Sequence, residues 1–165
     1  MKLIKPFTLS LAALLTLSSC NNTSGSDKVI TMETPAFNKE GELSLYKASG
    51  KLIRTIDVEV ADTAFEQETD LKNRDLLKAH QGMLFLYPEE DLRGYFMKDI
   101  RYPLDIIFIN GDNRIVSFAE NTTPLDDSTF LPSQVPAQLV LKINGGLSEE
   151  WVIEVGDYVE WKFTN

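Results

Sequence analysis

Apolar and polar residues alternate with a period of two over most of the chain beyond residue 29, the spacing of strands with one face covered. Leu43-Ser44-Leu45-Tyr46 and Ile53 to Val60 both carry the alternation, and Ala48-Ser49-Gly50-Lys51 between them has turn chemistry, so a hairpin is predicted. Residues 62–78 lose the alternation. Thr63 stands three residues before Glu66, the spacing of a capping box, which predicts a helix starting there. Met83 to Tyr87 reads as a short strand stopped by Pro88, and Tyr95 to Asp99 as another. Asp105 to Asn110 and Arg114 to Phe118 flank Gly111-Asp112-Asn113 as a second hairpin. The run Ile106 to Ile109 is apolar at every position, as in a strand buried on both faces. Residues 121–137 hold three prolines and exclude a central strand. Leu139 to Ile143 and Tyr158 to Phe163 return to strand, with a short helix at 147–151 after Gly145-Gly146. The sum is a mainly β domain, a compact β-barrel or jelly-roll-like sandwich with one or two short helices.

The first twenty residues follow another rule. Lys2 and Lys5 precede an apolar run from Phe7 to Leu17. That run is far below the ~20 residues a spanning helix needs, and it has the length of an export-signal core. Leu17-Ser18-Ser19-Cys20 then resembles the bacterial lipobox, in which the Cys sulfur takes a diacylglycerol and a dedicated peptidase cuts before it. The expected organisation is a removed signal peptide over 1–19, a lipidated Cys20 with a polar tether over 20–28, and one domain over 29–165. Two or three acyl chains hold a protein to a bilayer where one is marginal. The expected location is the bacterial cell envelope, anchored to a membrane and facing the periplasm or the exterior.

Composition narrows the function classes. The 165 residues carry 16 Lys+Arg against 25 Asp+Glu, a formal charge of -9. Cleavage before Cys20 removes two lysines and no acid and leaves -11. Such a balance argues against phosphate-driven nucleic-acid binding and against attraction to anionic headgroups. One Cys and one His cannot form a disulfide or an all-His/Cys zinc site. His80 lies in a polar stretch, no GxSxG accompanies the serines, and no phosphate loop or dinucleotide fingerprint is present. No catalytic residue, metal ligand or cofactor is expected.

The densest stretch is Gly82 to Asn110. GMLF, FMKD and PLDIIFI, with Arg74 upstream and VLKINGG downstream, resemble in order and spacing the bacterial and archaeal domain of unknown function family 192. The resemblance spans about residues 58–163 and implies a small β-rich fold with a short helix, without implying a reaction. The family's pattern has Gly and Met where this chain has Asp70 and Lys72, Trp where it has Phe96, Asn and Thr at Asp99 and Ile100, and Glu at Lys142. The polar residues carried over are Arg74, Lys98, Asp99 and Asp105. A carboxylate at the mouth of an apolar strand seeks a cation, so Lys98 or Arg74 is the expected partner of Asp105. One reading makes the four a salt-bridge cluster that fixes the loop 101–103. The other makes them a pocket for a small polar or anionic ligand. The expected role is a non-catalytic binding or accessory module. An envelope hydrolase or a scaffold for a membrane complex are the alternatives, and no protein partner is legible.

Overall fold

The computed structural model describes residues 35–69 and 71–164. The leader, Cys20 and the tether lie outside the described residues, as do residues 29–34 and Asp70. Among the described residues nine strands and two short helices follow one another as β1 (Gly41–Tyr46), β2 (Leu52–Ala61), α1 (Ala64–Thr69), β3 (Gln81–Asp91), β4 (Gly94–Tyr95), β5 (Leu104–Ile109), β6 (Ile115–Ala119), β7 (Leu131–Pro132), β8 (Ala137–Asn144), α2 (Leu147–Glu150) and β9 (Tyr158–Phe163). Seven strands form one sheet in the order β6-β5-β8-β3-β2-β1-β9, and β4 pairs with β7 in a separate two-residue ladder.

The fold is mainly β as expected, but the sheet is not closed into a barrel. Its edge strands meet only where Arg114 bridges Tyr158. Alternation assigns faces to strands and carries no information on whether the first and last strands pair, so the barrel expectation is corrected to an open sheet. Both hairpins form, with antiparallel ladders between β1 and β2 and between β5 and β6. The link from β2 to β3 is a parallel crossover, in which α1 and the segment after it pass over one face.

Three further expectations shift. The helix after Thr63 is only six residues long. Its capping box is real: Glu66 N donates to Thr63 Oγ1 at 3.2 Å and Thr63 N donates to Glu66 Oε2 at 3.0 Å. Strand β3 runs through Pro88 to Asp91, because its ladder with β8 breaks between Leu86 and Asp91 and asks nothing of the missing amide. Tyr95–Asp99 does not continue as a strand: β4 ends at Tyr95, and Lys98-Asp99 form a turn.

Two apolar clusters cover the two faces of the sheet. One gathers Leu43, Ile56, Leu84, Ile107, Leu141 and Val159, and is closed at one end by Leu147, Trp151 and Ile153. The other gathers Phe85, Ile106, Phe108 and Val140 under Leu71, Leu77, Met97, Ile100 and Tyr102 from the segments around 71–77 and 97–102. Strand β5 feeds both clusters and is buried at all six positions. Among the described residues no helix is long and apolar enough to cross a membrane.

Candidate functional site

The four residues singled out by sequence are not brought together. Asp105 is fully buried in β5. Its Oδ1 accepts the amides of Asn121 at 2.7 Å and Gly146 at 3.0 Å, and its Oδ2 accepts that of Ser148 at 2.7 Å. Gly146, the N-cap of α2, has no side chain to cap with, so a carboxylate from across the sheet does it instead. The expectation of a Lys98 or Arg74 partner for Asp105 is thereby corrected. Two amides at a helix start and one from the loop after β6 supply the positive potential without burying an ammonium. Lys98 and Asp99 are exposed. Asp99 sits at φ 62, and its carbonyl accepts the Asn73 amide at 3.0 Å. Among the described residues no ion pair links any two of the four.

Arg74 faces a different carboxylate. Its Nη1 lies 2.6 Å from Oε2 of Glu59, with both side chains mostly buried. Glu59 Oε1 accepts the amide of Asn38 at 2.7 Å. The ion pair is close without the angle of a hydrogen bond, and Arg74 Nε has no hydrogen-bond partner among the described residues. A buried donor without an acceptor is costly enough to need an explanation. Beside it lies a groove of about 160 Å³ whose wall includes Asn38, Glu40, Glu66, Thr69 and Met83. Glu40 is tied by one oxygen, which accepts the Val60 amide at 2.8 Å. Hydrogen bonds from the Thr63 hydroxyl and amide hold the Glu66 carboxyl below the usual carboxylate range. One guanidinium therefore faces three carboxylates across this groove.

A second charge is buried on the same face. Glu59 pairs in register with Met83, and Met83 with Lys142, so the two charged residues stand two strands apart, about 10 Å. Lys142 Nζ lies 3.7 Å from the ring centre of Tyr95 and 4.6 Å from that of Phe85. Desolvated cation–π contacts of this kind offset part of the cost of burying an ammonium. Tyr95 shares a 2.8 Å hydrogen bond with Tyr87, whose ring is covered by Arg93 at 3.9 Å.

A roomier groove, about 430 Å³, lies at the α2 end beside Trp151. One of its two lysines is already engaged. Lys47 Nζ is bound to Glu154 at 2.6 Å, to Asp157 at 2.8 Å and to the Val152 carbonyl at 2.9 Å, and Arg54 covers the Trp151 ring at 5.2 Å. The Arg74 groove, with a donor unanswered, is the better binding candidate despite its smaller size. Among the described residues no three His, Cys, Asp or Glu side chains converge as a metal-holding group.

Sequence reasoning missed Glu59 and passed over Lys142 as a mere departure from the family pattern. Glu59 alternates with Val58 and Val60 and so looks solvent-facing. Only the crossover after β2 buries it. Lys142 did carry a signal, since it occupies a core-facing position between Leu141 and Ile143 in a strand with both neighbours in the interior.

Known proteins place the chain. The family model DUF192 (Uncharacterized ACR) matches residues 45–161. A UPF0127 protein of Pyrococcus furiosus is 30% identical over 117 residues, covering 68% of this chain and 91% of that protein. A crystal structure of a protein of unknown function from Novosphingobium aromaticivorans is 38% identical with a TM-score of 0.68, over 73% of this chain and 84% of that one. A Sinorhizobium meliloti protein of proposed transcription-regulator function is 28% identical with a TM-score of 0.70, over 77% and 98%.

Proposed function

Since the chain belongs to the DUF192 family of uncharacterised proteins, its role has to come from its own groups, and we propose a bacterial envelope lipoprotein that binds a small polar ligand without catalysing a reaction on it. The observation that carries the binding reading is Arg74 Nε, a buried donor left without an acceptor beside an open groove. The charge of that groove selects the ligand class. With Glu40, Glu59 and Glu66 around a single Arg74, an anion meets net repulsion. A neutral hydroxyl-rich or amino-bearing molecule offers an oxygen to Arg74 and donors to the carboxylates. The anionic ligand admitted by the sequence is therefore set aside in favour of a neutral or cationic one.

The anchoring half of the proposal rests on the n-region, the short apolar run and Leu17-Ser18-Ser19-Cys20. Cys20→Ala should move the protein from the membrane pellet to the soluble fraction. Retention in the pellet would end the lipoprotein reading. For the ligand, the thermal unfolding of the detergent-solubilised full chain is compared with neutral sugars, amino sugars and sugar phosphates present. A rise in Tm is expected with the first two and not the third, and it should disappear in Arg74→Gln. A shift confined to the phosphates, or no shift at all, would defeat the ligand assignment.

A further inference from the structure

The excursions that cover the outer face of β3, β8 and β5 leave large apolar side chains in solvent. Phe96 and Phe130 are 46% and 55% exposed with ring centres 5.3 Å apart, and Leu125 and Leu76 are 63% and 67% exposed. The backbone draws them into one neighbourhood. Met97 N donates to the Asp126 carbonyl and Leu125 N to that of Ile100, both at 2.9 Å, while Asn73 N reaches the Asp99 carbonyl at 3.0 Å. Gly94 belongs to the same arrangement, since a Cβ there would collide with the Phe130 ring. Leu125 is held at φ 58, a conformation unfavourable for a bulky side chain, while that side chain points to water.

We infer that this patch is the face with which the anchored domain docks on the lipid bilayer, Phe96, Phe130, Leu125 and Leu76 entering the headgroup boundary. The inference rests on the lipidated Cys20 of the proposed function. From Cys20 to Pro35, where the described domain begins, are 15 residues, with a contour of about 50 Å. Every part of the domain surface is thus presented to the bilayer at high effective concentration, and a contact too weak to bind a free protein suffices for a tethered one. Aromatic and leucine side chains are the ones that gain most at that depth. Lys98 and Arg101 border the patch together with the exposed acids Asp75, Asp99 and Asp127, and Arg101 lies 3.5 Å from Asp75, so the rim carries charges of both signs that stay among the headgroups. With the mature chain at -11, apolar insertion and not charge drives the contact, so neutral lipid is enough. Leu52, Val152 and Val155, exposed around the α2 end with Val152 itself at φ 55, serve as the control face.

The test uses the mature acylated protein in phosphatidylcholine vesicles. Because the Cys20 sulfur carries lipid, an introduced thiol is the one free thiol in the chain. Phe130→Cys, Leu125→Cys and Val155→Cys are each labelled with an environment-sensitive fluorophore, and shallow nitroxide lipid is added. The probes at 130 and 125 should lose emission by about two-fold or more, and the probe at 155 should be nearly unaffected. Equal quenching at all three sites, quenching at 155 alone, or none anywhere overturns the docking face. A blue shift that grows with protein density and ignores the nitroxide assigns the patch to a second copy, and also overturns it. Flotation of the same samples separates the two readings. A chain that floats with unquenched probes keeps its anchor and loses only the docking face, whereas a chain that fails to float loses both. Two independent sites keep the test decisive if Phe130→Cys does not fold.

Discussion

Asp105 and Glu59 are both carboxylates buried in the sheet, and they are satisfied in different ways. Asp105 receives three backbone amides at 2.7–3.0 Å, all from loops and a helix start that have no other means of closing. Asp157 is similar, accepting the amides of Ala48 and Glu154 and the ammonium of Lys47. Both carboxylates are saturated by these donors, although the Ser148 hydroxyl beside Asp105 is buried without a partner among the described residues. Glu59 has one amide and one guanidinium, and that guanidinium keeps an unanswered N–H beside an open groove. The first arrangement ties chain segments together and has no room for a ligand. The second holds a charge in place and leaves part of its hydrogen-bonding capacity unspent.

The contrast is broken most forcefully at Asp105. Asp105→Ala strips the acceptor from three amides, that of Ser148 buried and those of Asn121 and Gly146 part-buried, at ~1–3 kcal/mol each, so a loss of about 4 kcal/mol in urea unfolding is expected. A loss under about 1 kcal/mol would mean that water replaces the carboxylate and that it is not a structural tie.

Arg74→Ala should cost less, about 2–3 kcal/mol, because the side chain it unpairs is buried but close to the groove. Removing both charges, as Glu59→Gln with Arg74→Met, should restore more than half of that loss while leaving the protein unable to shift its Tm with any ligand. Restored binding in the double variant would show that the pair is structural and the groove incidental.

Asp157 gives the next effect and a pH signature. Burial pushes its carboxyl up, but the Lys47 ammonium and the Glu154 and Ala48 amides outweigh burial and leave it below its ordinary value. A depressed folded pKa adds stability that is complete above the unfolded value near ~3.9 and is lost as pH falls through the folded one. Asp157→Asn should therefore cost about 1–2 kcal/mol at neutral pH and flatten the acid limb of the stability curve below pH ~4. An unchanged acid limb would place the acid-sensitive group elsewhere.

Glu42 should matter least. Hydrogen bonds from Lys162 and Lys39 lower its carboxyl to about 2. Its stabilising share has the same sign as that of Asp157, present above the unfolded value and lost towards pH 2. It lies in the open on the outer sheet face, where water and salt screen both partners. Glu42→Gln should be indistinguishable from wild type in moderate salt. A clear loss that persists there would mean that the outer face is less solvated than it looks.

The hairpins were readable because each is a local matter: alternation, then turn residues, then alternation again, as in Leu43–Tyr46 and Ile53–Val60. The capping box at Thr63 and Glu66 was readable for the same reason, although the helix it starts is much shorter than the unpatterned stretch suggested. Pro88 misled because a proline stops a strand only where its amide is wanted, and the break in the β3–β8 ladder removes that need. The candidate site was only partly visible. Arg74 was found through family spacing, but its partner Glu59 is separated from it by a crossover, and sequence distance does not report which charges a crossover brings together.

The amino-acid sequence by itself determined the β-rich class, the doubly buried run Ile106–Ile109 and the family. All of these depend on residues within a few positions of one another. Only the tertiary structure decided that the sheet stays open, that Asp105 caps a helix instead of pairing with Lys98 or Arg74, and that Glu59 and Lys142 carry charge into the covered face. Each of those outcomes depends on which backbone segment lies over which strand, and burial is fixed by that covering and not by the residue's own neighbours in the chain.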